Sequence, residues 1–149
     1  RSIYTVWKRT SPPPSMMIFD APDRSFCTVG RRSTSTPLQA LVLLNDPQMI
    51  EAARVMAEKI NKKESRPIVR LTTAFRTLLG RLPDEKEKKM LTTFYQQQKT
   101  KYAKRKADAI AYLDTGELPR DTSLDPAETA ALAFVINGLM NTSEGYSRN

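Results

Sequence analysis

The sequence predicts an all-α fold, about five helices in an irregular bundle with a non-regular N-terminal arm. Two observations predict it. Cap-then-proline and cap-then-glutamate starts recur along residues 36–128. Each is followed by apolar residues returning at the i, i+3, i+4, i+7 spacing of one helix face. A chain of 149 residues that is 40% hydrophobic and 27% charged suits one globular domain with a modest core. The expected division is an irregular arm over 1–35 and a helical body over 36–149, together one helical domain.

In the arm, Ile3, Tyr4, Val6 and Trp7 form a short apolar cluster. Ser11-Pro12-Pro13-Pro14-Ser15 cannot continue a helix, because proline lacks an N–H and restricts the residue before it. Met16-Met17-Ile18-Phe19 can lie against a core, and Asp20-Ala21-Pro22-Asp23 reads as a turn. Gly30 to Ser35 reads as an exposed loop. Trp7 is read as a core residue, and the lone Cys27 as a small half-buried hydrophobe.

Thr36-Pro37-Leu38-Gln39 opens the first helix, apolar nearly all round to Leu44 and ended by Asn45. Asp46-Pro47 starts the second, whose stripe is Met49, Ile50, Ala53, Met56, Ala57 and Ile60. Ser65-Arg66-Pro67 opens the third, with Ile68, Leu71, Phe75, Leu78 and Leu79 inward and Gly80 as its left-handed stop. Asp84 and Glu87 make a capping box for a long fourth helix reaching Gly116, with Met90, Leu91, Phe94, Tyr95, Tyr102 and Leu113 on its buried side. Asp125-Pro126-Ala127-Glu128 caps the fifth, striped by Leu132, Val135, Ile136, Leu139 and Met140.

Absent residues bound the chemistry. The chain has no histidine and one cysteine. Ser-His-Asp and Cys-His nucleophile systems, an internal disulfide, the commonest zinc ligand and a CxxCH haem attachment are therefore excluded within it. No Gly-rich phosphate cradle or GxSxG pattern occurs. With no catalytic motif, the reading leans away from an enzyme acting by itself, and no cofactor or metal is expected here. No apolar run is long enough to cross a membrane.

Two residue sets remain as candidates. One is polar: Arg9, Asp20, Asp23, Arg32 and Asn45. Asp20 and Asp23 have the residue type of a general acid–base pair, but turns also favour Asp because its carboxylate bonds the backbone two residues on. Asn45-Asp46 has the same dual reading, as groove lining or as helix punctuation. The other set is basic. The net charge is +8 with pI about 9.8, and Lys86, Lys89, Lys99, Lys104 and Arg105 crowd the fourth helix beside Lys88, Lys101 and Lys106. Such a stripe is the footprint of polyanion binding. Lysines alternating with apolar positions also make an ordinary solvated face, and no nucleic-acid recognition motif accompanies them.

Arg1-Ser2-Ile3-Tyr4-Thr5-Val6-Trp7-Lys8-Arg9-Thr10, the Pro12–Pro14 run, Phe19 to Arg24 and Thr36 to Gln48 together resemble the C-terminal part of domain-of-unknown-function family 1553, the planctomycete PSD domain. Ala74-Phe75-Arg76 with Gly80-Arg81, and Asp125 to Glu128 leading to Leu139-Met140-Asn141, are similar to it as well. The resemblance implies a piece of a larger exported bacterial multidomain protein, periplasmic or at the cell surface. Haem c would be carried by separate cytochrome-c-like domains of the parent. It carries over no catalytic residues. The expected role is a structural or interaction module whose partners are other domains of the parent, with a homodimer through the arm as a further option. The alternatives are one wall of an active site completed upstream, or a polyanion-binding helical domain.

Overall fold

Asp46, Asp84 and Asp125 each accept a hydrogen bond from a backbone N–H in the turn that follows, at 2.8, 2.6 and 2.8 Å. These bonds satisfy amides that the first turn of a helix otherwise leaves without partners. At Asp84 the box closes from both sides, since the Glu87 carboxylate accepts from the Asp84 N–H at 2.8 Å. The structure is a computed structural model that describes residues 6–8, 11–22, 27, 29–30, 34 and 36–146. Its helices are α1 (Pro14–Ile18), α2 (Pro37–Asn45), α3 (Pro47–Lys63), α4 (Pro67–Leu79), α5 (Glu85–Lys104), α6 (Lys106–Leu113), α7 (Pro126–Met140) and α8 (Ser143–Tyr146). Among the described residues there is no strand, only an isolated bridge between Lys8 and Ser11.

The fold is all-α, with eight helices among the described residues where about five are expected. The proline run supplies one extra: Pro14 stands at the first position of α1, where its missing N–H costs nothing. The expected fourth helix is two. Arg105, at φ −129° and ψ 69°, ends α5 and begins α6. A straight helix over 85–113 would extend about 43 Å at 1.5 Å per residue, far past the 15-residue α7. The break brings Ala109 and Leu113 back onto α7, where both are buried.

The chain divides into two compact units, residues 1–42 and 43–149, with α2 crossing the boundary. In the first, Gln39 is the one buried residue among those described. Val6, Met17, Phe19, Leu38 and Leu41 are all exposed, so the described residues of this unit enclose no apolar core.

The second unit is built around α7. That helix is buried on nearly every side rather than along one stripe, and α3, α4, α5 and α6 all pack on it. Each fully buried Leu132, Val135 and Ile136 contributes roughly 1.5–3 kcal/mol. Alanines at 53 and 57 on α3 and at 130, 131 and 133 on α7 are wholly buried, and small side chains let helix backbones approach closely. Phe94, Phe134, Tyr112 and Tyr102 continue the core as tilted ring pairs 5.9–6.2 Å apart. Burial pushes the Tyr112 hydroxyl up to about 12. Met90, expected inside, is 65% exposed because α5 turns its Leu91 and Tyr95 side inward instead.

The largest fully buried side chain is Arg54, which lies within the apolar face of α3 between Ala53 and Ala57. Its guanidinium donates to the carbonyls of Leu118 (2.8 Å) and Pro119 (3.3 Å) and to Glu58 Oε1 (3.0 Å). Neighbours on the same helix complete a clamp on the α6–α7 loop. Glu51 accepts the N–H groups of Glu117 and Leu118 at 2.9 and 3.1 Å, and Glu58 accepts that of Asp121 at 3.2 Å. Lys62 pairs with Asp121 at 2.5 Å. Gly116 sits at φ +111° against this clamp, and a Cβ there would lie 2.8 Å from Glu51 Cβ. The position therefore requires glycine on both steric and dihedral grounds.

Replacing Arg54 by Met should lower unfolding free energy by about 3–5 kcal/mol, because Glu58 and two carbonyls lose their buried donor. Urea denaturation measures this; a loss below about 1 kcal/mol would show that the loop does not depend on the clamp.

Candidate functional site

Of the polar candidates, Arg9, Asp23 and Arg32 lie outside the described residues. Asp20 is described and has φ +54°, a left-handed conformation that Asp tolerates better than most side chains. Its carboxylate accepts a hydrogen bond from the Thr34 hydroxyl. Gln39 Nε2 donates to Thr34 Oγ1 (2.9 Å) and to the Ile18 carbonyl (2.8 Å). Its Oε1 accepts from the Thr36 N–H at 3.0 Å, while its own N–H donates to Thr36 Oγ1 at 3.2 Å. The expected Thr36–Gln39 capping box is present, and Gln39 also ties the end of α1 to the start of α2. Asp20 is thus engaged in a structural network of side chains within the first unit. Asn45 is the last residue of α2 and lies in the second unit, without the left-handed conformation its turn reading allows. Cys27 is exposed rather than half-buried, and Trp7 is half-buried.

The basic candidates do not form one face. Lys86 and Lys89, near the start of α5, border a shallow open groove floored by Met90 and Phe94. Lys99 turns the other way and meets Glu128 Oε1 at 2.5 Å, with Arg70 Nη1 on Glu128 Oε2 at 2.9 Å. The hydrogen bond with Lys99 is the main cause of a lowered Glu128 carboxyl, and the same bond raises Lys99. Burial raises the adjacent Tyr95 hydroxyl. Lys104 and Arg105 stand at the far end of α5, Arg105 loosely paired with Asp108 at 3.7 Å. The reason is helical phase. At 100° per residue, position 99 falls some 140° away from 86 and 104, far enough to reach α7.

Two further clusters have no counterpart in the expected sites. Arg81 holds Glu87 through bonds of 2.8 and 2.7 Å and Glu144 through bonds of 2.7 and 2.9 Å, with its guanidinium 4.8 Å from the Phe75 ring centre. It thereby fastens α8 to the start of α5. Two carboxylates hold Arg81 firmly protonated, and its hydrogen bonds bring the Glu87 carboxyl down to about 2. The other cluster is the Arg54 clamp. Beside it, Ala52, Val55, Met56 and Leu118 line an open groove edged by Gln48, Glu51 and Lys59. The signal that marks this cluster in the sequence is an arginine inside an apolar arc, flanked by Glu51 and Glu58 at helical spacing. Among the described residues no three His, Cys, Asp or Glu side chains gather as a metal site. Among the same residues, no helix is long and apolar enough to cross a membrane.

The family model of PSD1, a protein of unknown function (DUF1553), matches residues 1–95, and the chain belongs to that family. The match covers α1 to α4 and α5 up to Tyr95; residues 125–141, expected from the sequence to share it, lie beyond it. No curated protein and no solved structure matches the chain.

Five carboxyls, those of Glu51, Glu87, Asp121, Glu128 and Glu144, sit below their ordinary values in the fold. A depressed carboxyl stabilises the fold above its unfolded value and loses that contribution as pH falls through the folded one. Unfolding free energy should therefore be flat at neutral pH and decline from about 4.5 toward about 2, the interval set by Glu87. Denaturant titrations across this range measure it, and Glu87→Gln should flatten part of the decline. Equal stability at pH 7 and pH 3 would contradict the assignment.

Proposed function

We propose that this chain is an interaction module of a larger protein, joined to its neighbours through residues 1–42 and α2. The observation that carries this reading is in the N-terminal unit, which buries Gln39 and leaves Val6, Met17, Phe19, Leu38 and Leu41 exposed. Leu38 and Leu41 are 53% and 56% exposed one turn apart on α2, with Met17 (49%) and Phe19 (41%) in the same unit. Apolar surface of that kind marks contact sites. The whole set falls in the part of the chain that matches the family. Of the polar residues that an active-site reading would use, Asp20 is engaged with Thr34.

The larger protein is an exported multidomain one in this proposal, with haem c confined to separate domains and this module contributing contact surface. Its partners are other domains of that protein, and a second copy of the chain is the competing occupant.

The test is the double variant Leu38→Glu/Leu41→Glu. In the isolated chain it should lower fluorescence of a hydrophobic dye severalfold, with helix content unchanged. In the longer natural protein it should open residues 1–42 to protease. An isolated chain that binds no dye, or a longer protein whose protease pattern does not change, would overturn the proposal. A concentration-dependent dimer of the isolated chain that the variant abolishes would assign the surface to a second copy instead.

A further inference from the structure

We propose that one end of the helical body, formed by the α3–α4 turn and the α5–α6 junction, docks on an anionic lipid bilayer surface. Hydrogen bonds define this end. Asn61, late in α3, donates to Thr129 at 3.1 Å, and Arg70 and Lys99 meet on Glu128. Thr129 and Glu128 lie in the first turn of α7. At the opposite end of α4 and α5, Arg81 pairs with Glu87. The two helices are therefore antiparallel, and Arg66 at one and Lys104 to Lys106 at the other both extend beyond the level of Glu128.

The charge there is one-sided. Residues 62–70 and 99–108 hold nine Lys and Arg against Glu64 and Asp108. The carboxylates that adjoining segments contribute are already engaged: Glu128 by Arg70 and Lys99, Asp121 by Lys62, and Asp125 by its cap on α7. Among the described residues, Lys63, Arg66, Lys104 and Lys106 make no ion pair, and all four are exposed. α4 and α6 begin here without a side-chain cap, which adds positive potential, while the C-termini of α3 and α5 end nearby and offset it. Side-chain cations carry the field.

The shape selects the partner. These cations stand at the α3–α4 turn and the α5–α6 junction, apart from the grooves floored by Met90 and Phe94 on α5 and by Val55 and Met56 on α3. A strand of nucleic acid favours a basic groove with aromatic platforms for its bases. The one aromatic residue on these two segments, Tyr102, is buried. A flat sheet of anionic headgroups can meet both turns at once, and Lys and Arg near such a surface act as largely additive point charges. Ile68, 43% exposed beside Arg66, offers an aliphatic side chain at the same edge.

Vesicle co-sedimentation tests this with phosphatidylcholine alone and with about 30% phosphatidylglycerol added. The chain should bind only the anionic vesicles at about 50 mM salt and be released at about 500 mM, where the screening length is a few ångströms. Neutralising Lys63, Arg66, Lys104 and Lys106 to Gln should weaken partitioning about fivefold per cation removed. Lys86→Gln/Lys89→Gln removes two unpaired cations from the other end of α5 and should change partitioning less than about twofold. All six positions are exposed, so circular dichroism should show the fold intact. Absence of binding to anionic vesicles, equal weakening per charge in the two variants, or tight binding to DNA or heparin without vesicle binding would each overturn the proposal.

Discussion

A guanidinium without any exposed surface must find its acceptors inside the protein, and Arg54 finds them in the α6–α7 loop. A buried cation left unsatisfied would be very costly, so the loop carbonyls of Leu118 and Pro119 and the Glu58 carboxylate are held to fixed positions. That fixes the loop. Glu51 takes the two amides ahead of those carbonyls, Gly116 admits the close approach, and the loop then delivers Asp125 to cap α7. The centre of the second unit, the helix on which α3 to α6 pack, is reached through this polar constraint rather than by apolar contact alone.

The two units use their side chains differently. In the second, alanines and branched aliphatics on α3 and α7 exclude water, and the charged groups are organised around them as clamps and latches. In the first, the organising group is an amide. Gln39 joins Thr34, Thr36 and Ile18, while Leu38 and Leu41 nearby stay exposed. A segment that orders its backbone through polar bonds and leaves its apolar side chains exposed is suited to contact. That contrast links the packing of this family member to the interaction role proposed for it.

Charge is deployed locally. The excess of Lys and Arg does not form a uniform field along α5. Lys99 is drawn inward by Glu128, Arg81 is consumed by two glutamates, and Lys62 is held by Asp121. Pairing of this kind leaves the unpaired cations sorted by position, some near the start of α5 and more around the two turns at its far end. The balance of the whole chain says little about where an anionic partner would meet it. Subtraction of the internal pairs does.

The sequence by itself determined where most helices begin and that they are helices. Asp46, Asp84, Asp125 and Thr36 place an acceptor on amides two or three residues away, and such bonds need no distant partner. Gly80 at φ 74° ends α4 by the same local logic. The family was legible too, in the residue patterns of the first half of the chain. Tertiary structure alone decided the rest. The break at Arg105 has no glycine or proline to announce it and follows from the short span of α7. Met90, expected inside, faces solvent, while Arg54 is buried because a carbonyl-rich loop covers it. The basic stripe was readable as residue types but not as a set of separate pairings, since which charges meet depends on helix phase and on partners dozens of positions away. Local hydrogen bonds are written in consecutive residues; pairings across the fold are not.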